Sequence, residues 1–329
     1  MEMLMKKIGL MGAVVALCTV ANAQTAPDAY PSKPITLVVP YSAGGSTDLT
    51  ARQFGLQLSK ILKQPVVVEN RPGGSTTIAA AHVARAPADG YTLLYGDSAT
   101  FVYNKFLFKN LRYDALTSFD PISLVANGSM VLAAGPAMKV DNLAGLVAKI
   151  KQNPSAYSYG SAGAGSPPHI LMEGFLQAVG VKGVTHVPYR GEQPGLTDMM
   201  AGTIGFMFLG PRSAKVQSDA GTVNALGWGG PNRIREFANL PTISEVVPGF
   251  QQQVWQAMVV PKGTPKAVID KLNQALRQAT QSEDFKRWVK DQVVSNDYTP
   301  STPQEVTRLI ESDQARVGRI ITEANISME

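Results

Sequence analysis

The chain has 329 residues, 44% of them hydrophobic and 17% charged, and a formal net charge of +5. That length supports two domains with separate cores, and a single cysteine cannot form a disulfide within the chain. Lys and Arg are scattered, with no basic run or aromatic-basic repeat, so nucleic acid is excluded as a partner, and three histidines without ligand spacing provide no metal site.

Lys6 and Lys7 precede an apolar run over 8–20 and then Ala21-Asn22-Ala23. A charged start, a short apolar stretch and small residues at the end predict a secretory signal at 1–23, cut after Ala23. The run is too short to span a bilayer, and bulky Leu17 before Cys18 argues against a lipoprotein anchor. The expectation is a soluble, exported chain.

An apolar run over 35–39 leads into Pro40-Tyr41-Ser42-Ala43-Gly44-Gly45-Ser46-Thr47-Asp48, and a helical pattern follows with Phe54, Leu58, Ile61 and Leu62 on one face. The stretch therefore reads as strand, glycine turn and helix. Ser46, Thr47 or Asp48 would cap the helix, whose unpaired N–H groups and dipole favour an anion. Residues 65–69 and 91–95 predict two further strands, separated by the turn Asn70-Arg71-Pro72-Gly73-Gly74-Ser75 and a helix. Residues 101–121 are irregular. Strand segments follow at 122–125 and 131–134, then a helix at 142–152.

The turn Gly160-Ser161-Ala162-Gly163-Ala164-Gly165-Ser166 repeats the first theme, with Ser166 as N-cap and Pro167 and Pro168 starting a helix. Strands are expected at 184–187, 204–209, 223–228 and 254–260, and helices at about 265–280, 283–291 and 303–324. Strands alternating with helices predict α/β architecture, with ligands at the carboxyl ends of the parallel strands. The same strand, turn and helix order appears before and after Ser123.

Nucleophile-elbow, zinc-protease and Walker signatures are absent from the sequence, and Gly163-Ala164-Gly165 lacks the third glycine of a dinucleotide site. His186 and Trp255 read as structural residues, and Arg190 as solvated. Ser161 or Ser166 with His169 is the one arrangement suggesting a hydrolase, and no oxyanion motif accompanies it.

Together, Tyr30-Pro31-Ser32-Lys33-Pro34-Ile35, Ala43-Gly44-Gly45-x-x-Asp48, Gln64-Pro65-Val66-Val67-Val68-Glu69-Asn70-Arg71-Pro72-Gly73 and Asp89-Gly90-Tyr91 form a specific set. With His186-Val187-Pro188-Tyr189-Arg190-Gly191 and Pro261-x-Gly263-Thr264-Pro265, they resemble the Bug receptor group, the substrate-binding proteins of tripartite tricarboxylate transporters. The resemblance implies a type II periplasmic binding protein, with two α/β domains joined by two crossing strands and a cleft between them. The domains would be 24–123 with 230–329, and 124–229. It further implies a non-enzymatic, cofactor-free monomer that binds a small organic carboxylate, di- or aromatic, and transiently meets membrane transporter subunits. A periplasmic sensor would share this fold. Matched motifs carry over Tyr41, Ala43, Gly44, Gly45, Ser46 and Asp48 from one domain, and Ser161, Gly163, Ser166, His169, Pro188 and Tyr189 from the other, and Ser98 after the third strand is a further ligand-binding candidate. Two segments, 97–104 and 209–212, depart from the family pattern. The second departure removes an acidic residue expected to hold an amino group, and it offers Arg212 for a second carboxylate.

Overall fold

A computed structural model describes residues 30–250, 252–291 and 297–328. The expected signal at 1–23 lies outside the described residues. No helix among the described residues is long and apolar enough to cross a membrane.

From Pro31 onward the chain first lays down β1 (Ile35–Val39), α1 (Ser46–Leu62), β2 (Val66–Asn70), α2 (Thr77–Val83), β3 (Thr92–Asp97), α3 (Asn104–Leu107) and β4 (Phe119–Gly128). After Ser129 and Met130 come β5 (Val131–Ala134), α4 (Leu143–Gln152), β6 (Ser158–Ser161), α5 (Pro167–Ala178), β7 (Thr185–Pro188), α6 (Glu192–Ala201), β8 (Phe206–Leu209), α7 (Pro211–Asp219) and β9 (Asn224–Trp228). A return through α8 (Ile243–Val246) leads to β10 (Val254–Pro261), α9 (Lys266–Gln281), α10 (Glu283–Asp291) and α11 (Pro303–Glu323).

These strands form two five-stranded sheets, ordered β2-β1-β3-β10-β4 and β7-β6-β8-β5-β9. In the first, β1 runs parallel to β2 and β3, and β10 is antiparallel to β3 and β4. In the second, β6 is parallel to β7 and β8, and β5 is antiparallel to β8 and β9. The two sheets thus share one pattern, three parallel strands followed by an inserted antiparallel strand and a last one.

Each sheet buries its own apolar cluster. Val38, Leu94, Phe101, Phe119 and Trp255 anchor the first, with Val306, Ile310 and Val317 of α11. Trp255 stacks on Phe101 at 5.8 Å between ring centroids and donates its indole N–H to Asp313 at 2.7 Å, so the core reading of this tryptophan holds. Leu132, Tyr159, Phe175, Phe206 and Phe208 centre the second. Helix α1 places Phe54 and Leu58, both fully buried, at the spacing that its sequence pattern requires. The irregular reading of 101–121 gives way to a turn of π-helix over Ala99–Tyr103 that runs into α3. Asn104 holds it from a distance, donating to the Ser75 carbonyl at 2.7 Å and to the Thr76 hydroxyl at 3.0 Å.

Register fixes which sheet ends meet. Val254 at the start of β10 lies opposite Gly128 at the end of β4, and Gln256 lies opposite Asp97 at the end of β3. In the other sheet, Val131 at the start of β5 pairs with Leu209 and with Trp228, the last residues of β8 and β9. Both links between the sheets therefore leave from the carboxyl ends of the parallel strands. Ser129-Met130, the shorter link, spans roughly 10 Å at full extension from Gly128 to Val131. The glycine turns of the two sheets are gathered at the linked ends.

Candidate ligand-binding site

In the first sheet the site begins with the turn after β1. Gly44 has a φ of +87°, a left-handed conformation that costs glycine little and other residues more. The expected caps are corrected: Gly45 is the N-cap, and Ser46, Thr47 and Asp48 lie inside α1. Asp48 reaches back one turn instead. Its carboxylate accepts the Gly44 N–H at 2.8 Å, Arg52 Nε at 2.9 Å and Asn70 Nδ2 at 2.8 Å, and the same Asn70 nitrogen donates to the Tyr41 carbonyl at 2.9 Å. Burial alone would raise the Asp48 pKa, but the bonds from Arg52, Gly44 and Asn70 outweigh it and hold the carboxyl below its usual value. Asp48 is 1% exposed, so it shapes the turn, whereas Ala43, Gly44 and Gly45 face outward.

The Tyr41 hydroxyl donates to the Asp97 carboxylate at the end of β3. Asp97 also accepts the Thr100 N–H at 3.1 Å and the Thr100 hydroxyl at 3.2 Å. Burial pushes its pKa up, against the pull of these bonds. Ser98, next in the chain, is fully buried. From β10, Gln256 reaches the Thr47 hydroxyl at 3.3 Å and accepts the Tyr95 hydroxyl at 2.5 Å. The ends of β1, β3 and β10 are thus tied together at one place.

In the second sheet Ser161, Gly163, Ser166 and His169 come together around the β6–α5 turn. Ser166 stands at the N-cap, yet its hydroxyl donates to the Gly163 carbonyl at 2.6 Å rather than to the helix. His169 is buried, and its Nδ1 accepts the Gly165 N–H at 3.0 Å, which places its proton on Nε2. Gly165 is favoured here by its φ of +71°, a left-handed conformation, and a Cβ would also press on the tip of the Leu107 side chain at 2.7 Å. The serine pairs with the other histidine, for Ser161 Oγ lies 2.7 Å from His186 Nε2. His186 lies opposite Tyr159 in the β6–β7 register, two positions before Ser161, and so shares a face with both. Tyr159, His186 and His169 stack in turn, at 4.9 Å and 3.8 Å between centroids. The Tyr189 N–H donates to the Ser161 carbonyl at 3.0 Å and its hydroxyl to Asp198 at 2.7 Å, while Pro188 is exposed at the end of β7.

Arg212 is exposed at the second position of α7, and Arg190 is exposed as expected. The expectation that no acidic group serves this strand end is corrected. Glu192, at the start of α6, accepts the Gly210 N–H at 2.6 Å through Oε2. Asp97, Gln256 and Glu192 were not picked out as candidates from the sequence, and His186 was read there as structural. Two of them carried a signal, since Asp97 opens the segment that departs from the family pattern and His186 opens a motif that matches it. Two hollows of about 440 and 410 Å³ lie away from these turns, one against α2 and the other between Gly229–Pro231 and α11.

Burial lowers the pKa of His169 to about 3, assisted by its neighbour His186, and burial lowers that of His186 to about 4. Both fall below the unfolded value near 6.5, so their contribution to stability is complete above pH 6.5 and is lost as pH falls toward 4. Glu173, raised by burial beside the Tyr159 hydroxyl, opposes that trend. The melting temperature of a His169→Gln, His186→Gln double variant is therefore expected to drop less than that of the wild type between pH 6.5 and 4. Parallel curves for the two proteins would remove the histidines from this pH dependence.

Two α/β sheets of one pattern, joined through linked carboxyl ends that carry glycine turns, define the periplasmic-binding-protein fold. Solved structures of the same architecture include an R. palustris protein with adipate, at TM-score 0.79 and 30% identity over 91% of this chain and 100% of that one. MatC from Rhodopseudomonas palustris, with bound malate, aligns at TM-score 0.76 and 27% identity, over 89% of this chain and 100% of its own. BugT of Bordetella pertussis is 30% identical over 326 residues, 98% of each chain. The tripartite tricarboxylate transporter family receptor model matches residues 50–326, and the chain belongs to that family.

Proposed function

We propose that this chain is an exported periplasmic receptor that binds a small organic carboxylate between its two sheets and delivers it to the membrane subunits of a tripartite tricarboxylate transporter. The observation that carries this reading is the exposed Ala43-Gly44-Gly45 turn at the start of α1, at the sheet end that the links join to the second turn cluster. A helix start with outward backbone N–H groups suits a carboxylate. Relatives solved with adipate and with malate support the ligand class. Ser161 is fully buried beside a histidine whose basicity is depressed, which favours a receptor over a hydrolase. The receptor works as a monomer without metal or cofactor.

The moving units are the first sheet, which keeps all of β4 through Gly128 and so shifts the expected boundary at 123/124, and the second sheet over 131–228, turning about Ser129-Met130 and Gly229-Gly230. A thermal-shift screen of mono-, di-, tri- and aromatic carboxylates tests the ligand class. A ligand at a hundred times its Kd stabilises the folded chain by about 2.7 kcal/mol. The same ligand is expected to reduce the radius of gyration in solution scattering. An unchanged profile at saturation would exclude closure, and a screen with no stabilising carboxylate would overturn the receptor reading. A sensor would pass both tests, and reconstituted uptake separates it from a transport receptor.

A further inference from the structure

Glu192 follows β7, and Gly210 follows β8, while β6 lies between those two strands in the sheet. Neighbouring strands are about 4.8 Å apart, so the 2.6 Å bond from Gly210 N–H to Glu192 Oε2 crosses over the carboxyl end of β6. The backbone fixes the same placement, because the Gly191 N–H donates to the Ala162 carbonyl at 3.3 Å, inside the β6–α5 turn. A carboxylate thus stands over the Ser161–Gly163 turn, on the end of the second sheet that is linked to the first. It is half-buried and forms no ion pair among the described residues. The histidines that touch this turn, His169 at Gly165 and His186 at Ser161, are held neutral by burial. Arg190 and Arg212 are exposed, two residues from Glu192 and from Gly210 respectively, and neither is paired with it.

Resting on the carboxylate-receptor reading, we propose that Glu192 sets the second functional group of the ligand, favouring a hydrogen-bond donor (a hydroxyl or an ammonium) and rejecting a second carboxylate. One Glu192 oxygen is anchored by Gly210, and the other accepts from the ligand. A carboxylate brought to the same place would meet a like charge in a partly desolvated site. The first carboxylate stays with the Gly44-Gly45 turn, and the role expected of Arg212 falls away.

Calorimetry on the mature protein with matched acids of four and six carbons tests this. The probes are succinate, 4-hydroxybutyrate and 4-aminobutyrate, and adipate, 6-hydroxyhexanoate and 6-aminohexanoate. Wild type is expected to prefer the hydroxy and amino acids in at least one set. Glu192→Gln retains an acceptor for Gly210, and should tighten the diacid and weaken the amino acid by about tenfold each. Added salt should shift wild type in the diacid's favour by screening the repulsion, a readout that does not depend on the variant folding. A uniform change across the probes, no change, or wild-type binding of diacids alone that Arg212→Ala abolishes would overturn the assignment. Binding of none of the six would overturn it too. The receptor reading fails separately, only when no carboxylate in the wider screen stabilises the protein.

Discussion

Gly45→Val is expected to abolish carboxylate binding and leave the fold intact. Gly45 has a φ of −75° and a ψ of 167°, an extended conformation open to valine. A Cβ built there meets only the Ser42 carbonyl oxygen, at 3.8 Å, an ordinary contact. The branched side chain would therefore stand in the outward space where the ligand approaches the turn. Gly44→Val is less clean, since its φ of +87° adds backbone strain to the steric block. A Gly45→Val protein with the wild-type melting temperature and no measurable heat of binding is the predicted result. Undiminished affinity would take this turn out of the site.

Asp48→Ala is expected to weaken stability and binding together. The substitution leaves the Asn70 amide, the Arg52 guanidinium and the Gly44 N–H without the carboxylate that holds them. Because Arg52 is half-exposed and can be rehydrated, the loss of these hydrogen bonds costs about 1–2 kcal/mol. The turn itself rests on this carboxylate, so binding should fall even where most of the protein remains folded. Because the Asp48 pKa is lowered, its contribution is full above the unfolded value of 3.8 and is lost as pH falls through the folded value. The urea midpoint at pH 7 and affinity measured well below that midpoint check the two effects. A variant with unchanged stability would show that the carboxylate only decorates the turn.

The alternation of strands and helices, and the glycine turns at the strand ends, were legible because both signals are local. Phe54 and Leu58 needed only helical spacing, and β4 and β9, the strands that lead into the two links, were marked by short apolar runs. What escaped depends on which strands become neighbours. His186 reads as a strand residue until β7 is placed beside β6, which brings it against Tyr159 and Ser161. Glu192 carries no local signal and gains a partner only when β8 takes the far side of β6, since Gly210 is 18 residues away across a non-sequential strand order. The π-helical turn after β3 was hidden for a similar reason, as the Asn104 contacts that support it come from Ser75 and Thr76. Asp48 was assigned to the right turn with the wrong geometry, because one helical turn separates capping from reaching back.

The inserted antiparallel strands have a consequence for how the chain matures. All five strands of the second sheet come from one continuous stretch, β5 to β9, so that sheet can be completed as soon as its residues are available. The first sheet cannot. Its β4 pairs with β10 and, at Asn127, with the still later Asp297, and β10 also separates β4 from β3, so two strand edges stay open until residues near 254–261 arrive. An N-terminal fragment ending before β10 would expose backbone donors and acceptors along β3 and β4, the condition under which strands recruit foreign partners. Fragments ending near residue 230 should therefore aggregate, while the isolated stretch over 129–229 is the piece with a complete sheet of its own.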